Sequence, residues 1–289
     1  MLGAAWIAEK AVLPAIAASQ NGRLVAVASR SRERAEEMLS GYGEARVCDS
    51  YDALLEQPDV DAVYIPLVNN LHREWTERAL AAGKHVLCEK PIAMNAEQAE
   101  AMAAAARRAN RLLMEAFMYR FDARTRRFIE GSREPLHVRA SFGFRLKQGE
   151  NYRFDAALGG GALLDVGCYT VSIARWILGE PVQVFARARM RNGVDMTATA
   201  LLVFDEGRTA SAWSSFESPE EQEVTVISRD TVHRLDRPFS APVNPNEPYR
   251  LMVESFADSA LRDTPPAIPM EDSIANMRVL DRIRESFSA

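Results

Sequence analysis

The sequence predicts an α/β protein in two parts. The first is an N-terminal doubly wound parallel sheet, and the second is a C-terminal α/β part with a mostly antiparallel sheet. Two patterns support this prediction. Up to residue 114, short buried apolar runs alternate with amphipathic helical stretches, which is typical of a parallel sheet covered by helices. From Tyr119 onward, apolar residues occupy alternate positions, which indicates strands with one buried face.

The N-terminal part divides into strands and helices as follows. Apolar runs predict strands at 24–28, 62–65, 85–88 and 112–114, and helical spacing predicts helices at 31–39, 50–55, 72–82 and 95–108. Ser50 and Asn95 are N-cap residues, and Gly83 ends the helix before it.

The C-terminal part follows a boundary near residues 117 to 121, so the predicted domains are 1–118 and 119–289. Alternation predicts strands at 138–144, 198–204, 210–216 and 223–227. A helix at 161–178 separates the first two of these strands, and an amphipathic helix at 271–287 ends the chain.

Composition excludes several classes of protein. A net charge of −5 and a pI near 5.6 do not favour nucleic-acid binding. The three cysteines lack metal-ligand spacing, so we expect no metal site, no disulfide framework and a reducing cytoplasm. We also expect no membrane span and no signal peptide, because charged residues interrupt the apolar runs.

The N-terminus carries an incomplete dinucleotide motif. Gly3 takes the place of the second glycine in G-x-G-x-x-[GA], and Trp6 occupies the third small position. On this interpretation Ala4 and Ile7 also border the pyrophosphate, at the start of a helix. The first glycine and nearly all of the first strand are absent, so we expect the true start to lie upstream or the chain to be shortened. The alternative is a fraying segment before a helix that starts near Ile7.

The end of the next strand is basic rather than acidic. An acidic residue there would hold the ribose 2′-hydroxyl of NAD, whereas basic groups receive the 2′-phosphate of NADP. The chain has Ser29, Arg30 and Arg34 at this point, which favours NADP over NAD. The alternative is a solvated, arginine-rich helix start, although basic groups oppose the helix dipole there.

Several motifs together resemble one known family. They are Val63-Tyr64-Ile65-Pro66-Leu67-Val68-Asn69-Asn70-Leu71-His72, Gly83-Lys84-His85-Val86-Leu87-Cys88-Glu89-Lys90-Pro91, Met114-Glu115-Ala116-Phe117-Met118-Tyr119-Arg120 and Gly159-Gly160-Gly161-Ala162-Leu163-Leu164-Asp165-Val166-Gly167-Cys168-Tyr169. In order along the chain, they resemble the glucose–fructose oxidoreductase/inositol dehydrogenase (Gfo/Idh/MocA) family. The resemblance implies a Rossmann domain followed by an α/β domain. With tyrosine rather than histidine at 169, it is nearest to the glucose–fructose oxidoreductase and dimeric dihydrodiol dehydrogenase-like members.

The resemblance also implies the catalytic residues. Lys90 is expected beside the nicotinamide and the substrate oxygen, with Asp165 and Tyr169 facing it across a cleft. A tyrosine proton is released slowly at neutral pH unless a nearby ammonium stabilises the phenolate, and Lys90 would supply that charge. Lysine is scarce here, at four of 35 basic residues, so Lys90 is a better functional candidate than usual. The alternatives are a surface lysine at a strand end, a core tyrosine and a capping aspartate.

The remaining candidates lie on the cofactor or substrate side. We expect Glu89 to contact a ribose hydroxyl and Asn69 to lie near the nicotinamide half. His72 is placed in the cofactor group, although helix capping or packing is the simpler explanation. Arg153 is a weaker substrate candidate.

The leading hypothesis is an NADP-dependent oxidoreductase acting on the carbonyl or hydroxyl group of a sugar, cyclitol or related diol. The alternative is a catalytically silent nucleotide-binding or structural member of the family. A third possibility is an enzyme whose cofactor is NAD. A broad sheet face predicts a homodimer. Substrate identity and the direction of reaction are left open, and specificity is expected in the loops near 145–158 and 234–248.

Overall fold

The computed structural model describes residues 1–147, 149, 151–240, 242 and 244–287. Its strands, in chain order, are β1 (Ala26–Ala28), β2 (Arg46–Cys48), β3 (Ala62–Ile65), β4 (His85–Cys88), β5 (Leu113–Glu115), β6 (Pro135–Arg145), β7 (Gln183–Arg191), β8 (Val194–Val203), β9 (Thr209–Ser215), β10 (Glu217–Ser228) and β11 (Val232–Asp236). Its α-helices are α1 (Leu13–Ala18), α2 (Arg32–Leu39), α3 (Tyr51–Leu55), α4 (His72–Ala81), α5 (Ala96–Ala109), α6 (Ala123–Gly131), α7 (Cys168–Leu178), α8 (Glu247–Arg262) and α9 (Met270–Ser286).

The chain folds into two compact units. Unit 1 comprises Met1–Ile92, Glu97–Phe121 and Val243–Ser273, and unit 2 comprises Ala93–Ala96, Asp122–Pro242 and Ile274–Ala289. Helix α8 therefore returns to unit 1, because its buried face packs against α1 and against the 3-10 turn Met118–Phe121.

Unit 1 has the predicted parallel sheet, in two pieces. One piece has the order β3-β4-β5 and the other pairs β1 with β2. Between them lies the start of the chain. The Leu2 amide donates to the carbonyl of Tyr64 at 3.0 Å, and the Gly3 amide donates to the carbonyl of Ala28 at 2.7 Å. These two residues thus link the pieces where the sequence predicted a truncated first strand.

The α-amino group of Met1 is enclosed at this position. It donates to the carbonyl of Ala26 at 2.8 Å, and burial lowers its pKa to about 5. A cavity of about 440 Å³ opens beside it, lined by both sheet pieces and by apolar residues of α8 such as Val253 and Phe256.

Unit 2 contains the predicted mostly antiparallel sheet. Its order is β11-β10-β6-β9-β8-β7, and β6 and β9 are its parallel neighbours. Helix α7 packs against β6 and β9. One core cluster joins Val166, just before α7, with Met196 of β8 and Phe216 after β9.

The stretch Ala156–Leu178 is long and apolar enough to cross a membrane by length and composition. Most of it is buried inside unit 2, as the core helix of a folded domain would be. Its apolar character is explained by that packing.

In the two expected specificity loops, residues 148, 150, 241 and 243 lie outside the described part of the chain.

Candidate active site

The turn at Gly3 leads from Leu2, which forms a parallel bridge with Ala28, into a helix. Gly3 has a φ of +102°, and a Cβ there would lie 2.9 Å from Cδ2 of Leu67, so a larger residue would be both strained and crowded. The chain is helical from Trp6, whose side chain is 64% exposed. The predicted residues Ala4 and Ile7 flank that helix start. A turn of this kind at a helix N-terminus has the geometry that binds an anion.

The segment after β1 carries the predicted basic group. Ser31 caps α2, since its hydroxyl accepts the amide of Arg34 at 3.2 Å, and the Ser29 hydroxyl accepts the amide of Ser31 at 3.3 Å. Arg32 forms ion pairs with Glu36 and Asp49.

The side chains of Arg30 and Arg34 are exposed and form no ion pair within the described ranges. Two guanidinium groups without an ion pair in the described structure, after a strand whose own end carries no acidic residue, could hold a 2′-phosphate.

Lys90 lies two residues beyond β4, at the carboxyl end of a parallel strand. Its amide donates to Oε2 of Glu89 at 3.2 Å, and the hydroxyl of Tyr64 donates to Oε1 of Glu89 at 2.6 Å. Burial and the Glu89 charge raise the pKa of Tyr64 well above its usual value, so this phenol stays protonated and is a permanent donor. The structure thus brings Lys90 together with a buried, anchored carboxylate.

Tyr249, in the first turn of α8, interacts electrostatically with the same carboxylate. Burial and Glu89 raise the pKa of Tyr249, and the Lys90 ammonium opposes this effect. Neither Tyr64 nor Tyr249 was among the residues predicted from the sequence. Tyr64 lies in an otherwise aliphatic strand, where its buried hydroxyl needs a hydrogen-bond partner. That feature of the sequence could have identified Tyr64 as a candidate.

His72 supports the segment that carries Lys90. Its Nδ1 lies 2.9 Å from the carbonyl oxygen of Pro91 and its Nε2 lies 3.0 Å from that of Leu67. The ring is completely buried, and burial lowers its pKa. This arrangement fits packing, the simpler explanation, better than cofactor contact. Asn69, also buried, begins the 3-10 turn that follows β3.

Glu115, at the end of β5, holds the other side of this segment. Its Oε1 accepts the amide of Ile92 at 2.8 Å. Burial raises its pKa to about 7, outweighing the hydrogen bond from Ile92. Glu115 lies within one of the sequence motifs above, but no role was predicted for it.

In unit 2, Asp165 is paired with Arg153. Asp165 is 4% exposed, and its Oδ2 accepts a hydrogen bond from Nε of Arg153 at 2.6 Å. Asp165 lies in a π-helical turn, Leu163–Gly167, that runs directly into α7. Such π turns are frequent at functional sites.

Tyr169 lies one turn further along the chain, at the start of α7. Its ring is packed against Phe142 and Phe239 at centroid distances of 5.6 and 5.3 Å, and the residue is 7% exposed. The aromatic contacts fix the direction of the phenol, and Asp165 and Tyr169 are carried by one continuous helical segment.

The glycine run before this helix fits between two polar groups. A Cβ on Gly160 would lie 2.5 Å from the carbonyl oxygen of Arg153, and a Cβ on Gly161 would overlap the carboxylate of Asp195. Asp195 in turn accepts the amide of Leu163 at 2.6 Å. The turn therefore contacts the backbone of Arg153 on one side and the carboxylate of Asp195 on the other.

No group of three or more His, Cys, Asp or Glu side chains that could hold a metal occurs among the described residues. Unit 1 thus carries one lysine beside a buried carboxylate. Unit 2 separately carries an arginine–aspartate pair one helical turn before a tyrosine.

Comparison with family models gives two matches. Residues 1–117 match a model described as the oxidoreductase family with an NAD-binding Rossmann fold (GFO_IDH_MocA), and residues 134–230 match the GFO/IDH/MocA C-terminal domain.

Individual proteins are similar along nearly the whole chain. D-xylose 1-dehydrogenase (NADP(+)) 2 of Haloferax volcanii is 38% identical, over 99% of this chain and 96% of that protein. A 3-ketoreductase from Actinomadura kijaniata, solved with NADP and TDP-benzene, has a TM-score of 0.87 at 31% identity, covering 99% and 96% of the two chains. An aldose-aldose oxidoreductase from Caulobacter crescentus has a TM-score of 0.92 at 28% identity, with the same coverage.

Proposed function

This chain belongs to the GFO/IDH/MocA family of oxidoreductases, and we propose that it transfers a hydride between NADP and a carbonyl or hydroxyl carbon of a sugar, cyclitol or related diol. The observation that carries the proposal is the position of Lys90 at the carboxyl end of β4, beside the anchored carboxylate of Glu89. Ligands of open α/β sheets bind at such strand ends.

The proposed cofactor is NADP. The turn at Gly3, Ala4, Trp6 and Ile7 would receive the pyrophosphate, Ser29, Arg30 and Arg34 the 2′-phosphate, and Glu89 and Asn69 the nicotinamide half. The unpaired Arg30 and Arg34 support this choice, as do the NADP named for the Haloferax dehydrogenase and the NADP bound to the Actinomadura ketoreductase. His72 is retained as a residue that supports Lys90 rather than as a direct cofactor contact.

Bound NADP supplies the hydride donor or acceptor, and the side chains of this chain manage the proton. In reduction, the Tyr169 hydroxyl gives its proton to the alkoxide that forms as hydride reaches the carbonyl carbon. In oxidation, the Tyr169 phenolate takes the hydroxyl proton while the carbon loses hydride. Lys90 stabilises the developing alkoxide, and Asp165 orients the reacting groups.

A thermal-shift assay with NADPH and NADH, followed by a substrate panel, tests the proposal. We expect NADPH to raise the Tm more than NADH at equal concentration, because a ligand stabilises by RT ln(1 + [L]/Kd). NADP⁺ reduction at 340 nm is then followed with D-xylose, D-glucose, myo-inositol and trans-1,2-dihydrobenzene-1,2-diol. Turnover of at least one compound is expected. A Tm shift without turnover would favour the catalytically silent alternative, and a larger shift with NADH would overturn the choice of NADP.

We further propose a cytoplasmic homodimer. The open face of the unit 2 sheet supports the dimer, since Phe185 of β7 and Leu201 of β8 are cross-strand neighbours and are 55% and 43% exposed. Three free buried cysteines accord with a reducing compartment. Light scattering should give a dimer for the wild type and a monomer for Phe185→Glu/Leu201→Glu. The control Leu261→Glu changes an exposed leucine of α8 and should remain dimeric. A monomeric wild type would contradict the proposal.

A further inference from the structure

The backbone of Arg153 is fixed by its own hydrogen bonds, independently of the contacts of its side chain. It lies in the 3-10 turn Tyr152–Phe154, which Asn151 caps by accepting the Arg153 amide at 3.1 Å. The Arg153 carbonyl accepts the amide of Gly161 at 3.0 Å, and Gly160 packs so closely that no Cβ fits there. The glycine run that precedes Asp165 and Tyr169 therefore also fixes the position of Arg153.

The guanidinium of Arg153 is anchored at one nitrogen and stacked on one ring. Nε donates to Asp165, and Cζ lies 4.8 Å from the ring centroid of Tyr152. The two terminal nitrogens donate no hydrogen bond to any described residue, and the side chain is 29% exposed. Arg153 is thus a tethered cation whose outer fork is partly open.

The charge of Arg153 acts on Tyr169 as well as on Asp165. Burial alone lowers the pKa of Arg153, but the charges of Asp165, Tyr152 and Tyr169 together raise it above its ordinary value. The attraction between a guanidinium and a phenolate is mutual, so Arg153 stabilises the ionised form of Tyr169.

We propose that Arg153 is the positioning residue that makes Tyr169 reactive, because Asp165 tethers its guanidinium one helical turn from Tyr169, on the helix face that the two residues share. The inference rests on the proposed function, in which Tyr169 carries the proton. Arg153 thereby takes part of the role that the sequence motifs alone assigned to Lys90.

The other surroundings of Tyr169 within unit 2 carry little charge. Strand β6 presents Phe142 on the side of Tyr169, and its titratable residues His137, Arg139 and Arg145 lie at positions of the opposite parity, on the other face. Strand β9 has no titratable residue. Near Phe239, Arg237 is paired with Glu220. Helix α9 presents the neutral side chain of Asn276 to Cys168. Among the described residues at this helix start, Asp165 is paired with Arg153, and the buried carboxylate of Asp195 accepts the amide of Leu163.

The test measures the ionisation of Tyr169 directly. The full-length protein with NADP⁺ bound is labelled with [ζ-¹³C]tyrosine, its spectrum is titrated with pH, and the Tyr169 signal is assigned by its loss in Tyr169→Phe. We expect the Tyr169 midpoint in Arg153→Gln to rise by about one pH unit, and Arg153→Lys to recover most of that shift. Arg191→Gln removes an exposed arginine that pairs with Glu217 and should leave the midpoint unchanged.

A kinetic arm uses NADP⁺ with the fastest compound of the substrate panel, D-xylose being the first probe. Oxidation needs the phenolate, so kcat rises with pH through the Tyr169 midpoint. In Arg153→Gln this rise should move to higher pH, lowering kcat at pH 7 by about tenfold with little change in KM. A purely structural role would lower the Tm without moving either profile, and would overturn the inference.

The two proposals fail differently. An unmoved Tyr169 midpoint in both Arg153 variants, together with an inactive Tyr169→Phe, would overturn the role of Arg153 and leave the proposed function intact. A shifted midpoint in a protein that turns over none of the panel would support the role of Arg153 and count against the proposed function.

Discussion

The hydroxyl of Tyr64 donates a 2.6 Å hydrogen bond to Oε1 of Glu89, and the same carboxylate accepts the amide of Lys90 through Oε2. Glu89 is therefore held between a strand and the segment that carries Lys90. Since Glu89 is buried, the loss of one donor weakens the stabilisation of its charge.

The variant Tyr64→Phe removes that donor and keeps the ring. We expect the free energy of unfolding to fall by about 1–2 kcal/mol and the Kd for NADPH to rise several-fold. Urea unfolding and calorimetric titration measure the two effects. Tyr42→Phe, a phenol elsewhere in the same unit, is the control. An unchanged Kd for NADPH in Tyr64→Phe would contradict a role for the anchored Glu89 carboxylate in cofactor binding.

The glycine run predicts a sharp contrast between two substitutions. In Gly160→Ala the new methyl group would meet the Arg153 carbonyl at 2.5 Å, whereas in Gly131→Ala it would meet nothing within 4 Å. Neither glycine has a positive φ, so the difference isolates crowding. Gly160→Ala should destabilise by about 1–3 kcal/mol and lower kcat, because Arg153 must move. Equal Tm and kcat for the two variants would argue against this packing.

Cofactor preference should depend on Arg30 and Arg34 but not on Arg32. Arg32 is paired with Glu36 and Asp49, whereas the other two form no ion pair in the described structure. Removing Arg30 should raise the Kd for NADPH about tenfold or more and leave the weaker NADH affinity nearly unchanged. Arg32→Ala serves as the matched control from the same helix start. The assignment is lost if Arg30→Ala weakens both nucleotides equally.

Stability should depend on pH through Glu115. Its pKa is about 7 in the folded protein, against an ordinary value of 4.5 for the unfolded chain, so its contribution is fully present below pH 4.5 and is lost as the pH rises through 7. Relative to Glu115→Gln, the wild type should lose up to about 3 kcal/mol of unfolding free energy between pH 5 and pH 8. Urea unfolding at both pH values checks this, with exposed Glu44→Gln as control. Parallel pH curves for wild type and Glu115→Gln would show that folding does not raise the pKa of Glu115.

Much of this architecture could be predicted from the sequence. The strands β3 and β4 and the helices α2 and α9 agree closely with their apolar patterns, because each buries one continuous run or stripe. Strand β2 has only three residues, one of which is an arginine, so its apolar pattern is too short to detect. Helix α8 was missed because its amphipathic pattern follows a polar loop, and nothing local shows that it returns to unit 1.

The candidate site likewise contains residues that the sequence could predict and residues that it could not. Lys90, Asp165 and Tyr169 were identified from local motifs. The partners Tyr64 and Arg153 require long-range geometry, since 25 residues separate Tyr64 from Glu89 and 12 separate Arg153 from Asp165. Arg153 was a weak substrate candidate in the sequence, and only its position showed the ion pair with Asp165.

The catalytic role of Lys90 is tested most directly by NADP⁺ reduction at 340 nm with wild type and Lys90→Met, using the best compound of the substrate panel at saturation. We expect a loss in kcat of about 10²–10⁴-fold in the variant, while the Tm shift with NADPH persists. A Lys90→Met protein that keeps kcat within about twofold of the wild type would contradict this role.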